Sequence, residues 1–142
     1  MNQATAVGER WFKAIEKGDA DTLRQIVADD IDFLTPAGQL GAPQDVIDFV
    51  MGYNTAFPDS KFTIDRWIEQ EDVSVGEGTY SGTHTGVLST PMGVIPPTGK
   101  GIAVPFVTIF GERGSQVAFC HNYYDNVGFM TQLGLMPEPG QG

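Results

Sequence analysis

KFTIDRWIEQEDVSVGEGTYSGTHT, residues 61–85, is the stretch that decides the fold. Phe62, Ile64, Arg66 and Ile68 alternate with Lys61, Thr63, Asp65, Trp67 and Glu69, the period-two pattern of a strand with one face on a core. Glu71-Asp72 supplies a turn, and Val73 to Thr85 makes a second long strand. Further on, Ile102 to Phe110 and Gln116 to Asp125 flank the turn Glu112-Arg113-Gly114-Ser115, so the C-terminal half reads as antiparallel hairpins.

Toward the N-terminus the period changes to that of a helix. Val7, Trp11, Ala14 and Ile15 form one apolar stripe between Gln3 and Lys17, which Gly18 ends and after which Asp19 serves as the next N-cap. Leu23, Ile26 and Val27 share a face over Ala20 to Ala28, and Asp29 to Leu34 then alternates like a half-buried strand before the turn Thr35-Pro36-Ala37-Gly38. Pro43 opens a third helix carrying Val46, Phe49, Val50, Tyr53 and Phe57 until Pro58 stops it. Gly86 to Lys100, with Pro91, Pro96 and Pro97, reads as a loop, and Asn126 to Leu133 as a short closing helix.

Helices first and strands afterwards predict an α+β fold, a strongly curved antiparallel sheet with N-terminal helices closing a cone-shaped pocket. The apolar inside of such a cone is where a small ligand sits. Residues 1–136 are expected to form one domain and residues 137–142 a flexible tail.

Composition narrows the function classes. The 142-residue chain has 8 basic and 18 acidic side chains, a net charge of −10, and a phosphate backbone or anionic lipid surface would be repelled by it. Nucleic acid and membranes are therefore not expected partners. Cys120 is the single cysteine, no zinc-type spacing occurs, and the glycines match neither the phosphate loop nor the dinucleotide fingerprint, so no metal or cofactor is signalled. Met1 to Arg10 lacks the apolar core of a signal peptide, and a cytoplasmic protein is expected.

Asp125 is the first candidate for chemistry. It ends the last strand and by its parity shares a face with Val117, Phe119, His121 and Tyr123, and a carboxylate aimed into an apolar cavity has its pKa raised toward use as a general acid or base. An Asp just before a helix is equally suited to N-capping it. His84 and His121, the only imidazoles, are the other proton-transfer candidates, each set against an ordinary buried histidine. Tyr53, Tyr80, Tyr123 and Tyr124, with Trp11, Phe49, Phe57 and Phe106, offer aromatic walls for a small hydrophobic or aromatic ligand, or plain core.

The stretch Ala56-Phe57-Pro58-Asp59, the strand ending in GTHTG (82–86), the loop Ile95-Pro96-Pro97-Thr98-Gly99-Lys100 and the closing Tyr124-Asp125 followed by Met130-Thr131-Gln132-Leu133-Gly134 together resemble the SnoaL-like polyketide cyclase family of the nuclear transport factor 2-like superfamily. The resemblance implies a cone-shaped fold, pairing as a homodimer through the sheet, and a cofactor-independent intramolecular aldol closure with an Asp at the end of the last strand, here Asp125. It implies that Asp125 takes a proton from the carbon alpha to a carbonyl while His121 or His84, with Tyr123 or Tyr80, holds the enolate oxygen. Phe119 or Cys120 and His121 stand where the family commonly has an acidic residue and a Trp, which implies an altered pocket and a substrate that need not be a polyketide. The alternatives are a non-catalytic binding or dimerisation module, and an epoxide hydration that requires Arg66 in the cavity.

Overall fold

In a computed structural model, which describes residues 1–90 and 93–137, α1 (Gln3–Lys17), α2 (Ala20–Ile26) and α3 (Pro43–Ala56) pack on one face of a sheet. Strands β1 (Val27–Thr35), β2 (Gly38–Leu40), β3 (Lys61–Gln70), β4 (Val73–Thr83), β7 (Gly101–Arg113) and β8 (Gln116–Tyr124) form it in the order β2-β1-β8-β7-β4-β3. The fold is the expected α+β class. Its sheet is mixed, however, because β1 runs parallel to β8 while every other pair is antiparallel. Hairpin spacing reveals only neighbours in sequence, and this contact joins the first long strand to the last. β2 and β3 remain as separate edges, so the sheet is curved but not closed.

The expected Gly86–Lys100 loop contains a small ribbon, β5 (Leu88–Thr90) paired with β6 (Gly93–Ile95). Pro91 falls outside the described residues, as does the expected tail beyond Pro137. A last helix, α4 (Asn126–Gln132), follows β8 directly.

The apolar stripe forms α1 as its spacing requires. The side chain of Asn2 accepts from the Thr5 amide at 2.8 Å, and its amide group donates to the Glu71 and Val73 carbonyls, anchoring the helix start on the β3–β4 turn. Gly18 ends the helix at φ +67°, a left-handed conformation that costs glycine no Cβ clash. Close approach to the sheet needs a second glycine: a Cβ at Gly8 would lie 2.9 Å from the Phe110 ring. Asp19 caps α2 through the Thr22 amide at 3.0 Å, as its position suggested.

Two β-bulges decide which side chains face the helices. Ile64 pairs with Gly78 but Arg66 with Glu77, so Asp65 is an extra residue and the faces exchange beyond it. Trp67 therefore turns inward onto Phe12 and Phe110, while Arg66 faces solvent and pairs with Glu77 at 2.8 Å. In β8, Val117 pairs with Glu112 and Phe119 with Gly111, which makes Ala118 a second extra residue. Cys120 is fully buried beyond it, and Tyr123 is 50% exposed.

Pro105 lies in β7, between β4 and β8, where a proline would ordinarily break the ladder. Here β8 has already ended, since Tyr124 pairs with Phe106. On that open edge the side chain of Gln132 replaces a strand, accepting from the Ala103 amide at 2.7 Å and donating to its carbonyl at 3.0 Å.

Candidate functional site

Five adjacent strands and three helices line one cavity of about 100 Å³. Phe33 and Thr35 come from β1, Asn122 and Tyr124 from β8, Val104, Phe106 and Thr108 from β7, Tyr80 from β4 and Phe62 from β3. Trp11, Phe12 and Ile15 of α1, Phe49, Val50 and Tyr53 of α3, and Phe129 of α4 cover them. That one hollow touches so many strands is the concavity of the sheet made visible. Its walls are largely aromatic, with tilted and edge-to-face neighbours such as Phe12–Phe62 at 4.5 Å and Phe49–Tyr53 at 5.3 Å.

Of the expected aromatic residues, Trp11, Phe49, Tyr53, Tyr80, Phe106 and Tyr124 meet here. Phe57 does not line the cavity; it is fully buried behind it, against Tyr53, Tyr80, His84 and Phe129. Tyr123 points to the outer face. Thr35, Asn122, Thr108 and Phe62 are added by the structure, Asn122 because the bulge at Ala118 turns even-numbered positions inward.

The three proton-transfer candidates lie elsewhere. Asp125 is exposed, outside the cavity lining, and N-caps α4 by accepting from the Gly128 amide at 2.9 Å. The capping alternative is thus the one its geometry realises, and the expectation that its carboxylate points inward is corrected. His121 sits on the outer face, its Nε2 3.0 Å from Asp32 and its ring against Phe119. His84 is fully buried beyond the end of β4, not on the cavity, and its Nδ1 accepts from the Thr98 amide at 3.2 Å. An accepting Nδ1 places the proton of the neutral ring on Nε2, and burial lowers the pKa of the imidazole, against a smaller raising influence of the Gly86 backbone. Its backbone pairs with Lys100 and Gly99, so His84 fastens the segment before β7. Arg66, exposed and paired, removes the arginine that epoxide hydration requires.

What the cavity does hold is a group of phenols. Burial raises the pKa of Tyr53 well above that of free tyrosine, and the neighbouring Tyr124 hydroxyl raises it further. Burial raises Tyr124 as well, against an opposing influence of the neighbouring Tyr53 hydroxyl. Tyr80 is pushed up to about 12, mainly by burial, with Ser60 offsetting part of the shift. All three are therefore neutral hydroxyls at pH 7. The buried Tyr80 hydroxyl has no well-aligned hydrogen-bond partner among the described residues. Among those residues no carboxylate and no imidazole lines the cavity, and no cluster of metal-ligating side chains occurs anywhere.

The fold is of the α+β class, and its concave face carries an aromatic hollow. The SnoaL-like domain family matches residues 8–118, and the chain belongs to that family. Solved structures agree in fold. A provisionally assigned SnoaL-like polyketide cyclase from Jannaschia sp. CCS1 is 20% identical, with a TM-score of 0.80 over 95% of this chain and 94% of that one. TsrD from Streptomyces laurentii is 21% identical, with a TM-score of 0.78 over 94% and 96%. IdmH from Streptomyces antibioticus, provisionally assigned as a polyketide cyclase, is 22% identical, with a TM-score of 0.76 over 94% and 99%. No curated protein matches the chain. No helix among the described residues is long and apolar enough to cross a membrane.

Proposed function

We propose that this chain binds a small, ring-containing, mostly apolar molecule whose carbonyl oxygen is held by the hydroxyls of Tyr53, Tyr80 and Tyr124. The observation that carries this reading is an aromatic cavity whose neutral phenols retain hydrogens for a ligand. The Tyr80 O–H has no well-aligned hydrogen-bond partner among the described residues and is free to donate, and the Tyr53 and Tyr124 hydroxyls, neutral and close enough to shift one another's titration, are further donors. Acetophenone titrated into the protein by calorimetry should bind saturably, and Val104→Phe, which fills the cavity, should weaken it at least tenfold. Non-saturable binding, or affinity indifferent to the filling, refutes the reading.

A second reading, aldol ring closure, is favoured by the same phenols. A donor aimed at a carbonyl binds the enolate more tightly than the ketone, because charge grows on that oxygen. Water or hydroxide admitted with the substrate would take the C–H proton, the enolate carbon would attack a second carbonyl with its C=O π bond passing to the oxygen, and the resulting alkoxide would take a proton back from water. Asp125, His121 and His84 take no part in this route. Turnover of an activated dicarbonyl substrate that survives Asp125→Asn but falls with Tyr124→Phe supports it; loss with Asp125→Asn alone returns the role of base to that carboxylate.

The same proposal includes a cytoplasmic homodimer formed through the outer sheet face, where Tyr123 and Ile68 are 50% and 60% exposed. Sedimentation velocity at micromolar concentration distinguishes the dimer from a monomer.

A further inference from the structure

Resting on the binding reading above, the hydrogen-bond inventory of the cavity says more about its ligand. Thr35, Asn122 and Thr108 stand side by side on β1, β8 and β7: Thr108 pairs with Asn122, and Thr35 lies one residue beyond the Leu34–His121 pair. The Asn122 amide donates to the Leu34 carbonyl at 3.2 Å and toward Cys120 Sγ at 3.6 Å. A carbonyl only accepts, so Nδ2 must face Leu34, and Oδ1 then receives the Thr108 hydroxyl at 2.8 Å. Thr35 donates to the Gly38 carbonyl at 3.5 Å and accepts from the Ala37 amide at 3.1 Å. Every hydrogen of this row is committed inside the protein. What remains for a ligand is lone pairs.

The tyrosine side of the cavity is the opposite case. Tyr124 is carried by the residue pair Tyr124–Phe106, two positions along β7 from Thr108, or ~7 Å at strand spacing. We infer that the cavity selects a ring bearing a hydrogen-bond donor at one end, against Thr35, Asn122 and Thr108, and a carbonyl acceptor at the other, against the tyrosines: a hydroxyaryl ketone or its enol. A donor reaching this row finds acceptors with no competing hydrogen, whereas an ether or carbonyl oxygen there meets only lone pairs and loses its water without compensation.

Calorimetric titration of the unaltered protein with para-hydroxyacetophenone, para-methoxyacetophenone, para-ethylphenol and para-ethylanisole separates the two claims. Each phenol should bind about tenfold more tightly than its methyl ether, whether or not a carbonyl is present. Thr108→Val/Asn122→Leu, which removes two of the three acceptors, should narrow that gap several-fold and leave the preference for the ketone. A preference for the ketones with no phenol–ether gap overturns the acceptor row alone, and four equal affinities overturn both polar ends while leaving the cavity as a binding site. No binding by any of the four overturns both. Should the double variant fail to fold, the four-ligand comparison on the unaltered chain decides alone.

Discussion

The ring of Phe119 lies against the backbone of Gly111, so close that a Cβ at Gly111 would stand 2.1 Å from Cε1 of Phe119. This contact closes the bulge at Ala118, the point where β8 exchanges its faces. Gly111→Ala must displace the ring or the strand and should cost about 2 kcal/mol, within the range for overpacking. In Phe119→Ala the added penalty of Gly111→Ala should nearly vanish. Urea unfolding of the four chains measures both; a penalty unchanged by Phe119→Ala contradicts the contact.

Asp125 caps a helix, and the consequences of its loss should be those of a cap. Asp125→Ala should lower stability by about 1 kcal/mol, whereas Asp125→Asn, which retains an accepting oxygen, should leave it nearly unchanged. Neither should alter affinity for an aromatic ketone, since the residue does not line the cavity. Thermal unfolding and ligand titration on the two variants are sufficient, and a large loss of affinity in either one is the contrary result.

His84 gives the fold a pH dependence of definite sign. Its pKa is lower in the folded chain than the ordinary value of 6.5, so the unfolded state binds more protons in the interval below that value. Stability is complete above about 6.5 and falls as pH descends toward the folded pKa. Asp19, Asp30, Asp59 and Glu69, whose folded pKa values are also lowered, contribute stability that is lost only in the more acidic carboxylate range. Melting temperature should therefore drop between pH 7 and pH 5, and His84→Gln should flatten that part of the profile. An identical slope in the variant would show that another group carries it.

Tyrosine hydroxyls should matter to a ketone and not to a hydrocarbon. Tyr124→Phe or Tyr80→Phe should weaken acetophenone about tenfold, the value of one hydrogen bond from a buried donor, and leave ethylbenzene unaffected. Equal weakening of both ligands would assign the tyrosines to packing alone.

Helix periodicity, the caps at Gly18 and Asp19 and the order of the long strands were all legible in the sequence, because each follows from residues close together in the chain. The inner face was legible only as far as the first bulge. Parity carried along β3 puts Arg66 beside Phe62, and parity carried along β8 puts His121 and Asp125 with Val117; one unpaired residue in each strand, Asp65 and Ala118, reverses both assignments. No local residue type marks those bulges. They show only in the register of each strand against its neighbour, which the assembled sheet determines. The inward positions of Tyr53, Tyr80 and Trp11 follow from their own periodic patterns, which no bulge interrupts, whereas those of Asn122 and Thr108 needed the β7–β8 register.

A crystal structure with para-hydroxyacetophenone bound tests the central claim most directly. The ring should lie inside the cavity, with its carbonyl oxygen about 3 Å from a tyrosine hydroxyl. A ring found on the outer face beside His121, or with its carbonyl oxygen at the carboxylate of Asp125, would contradict the account.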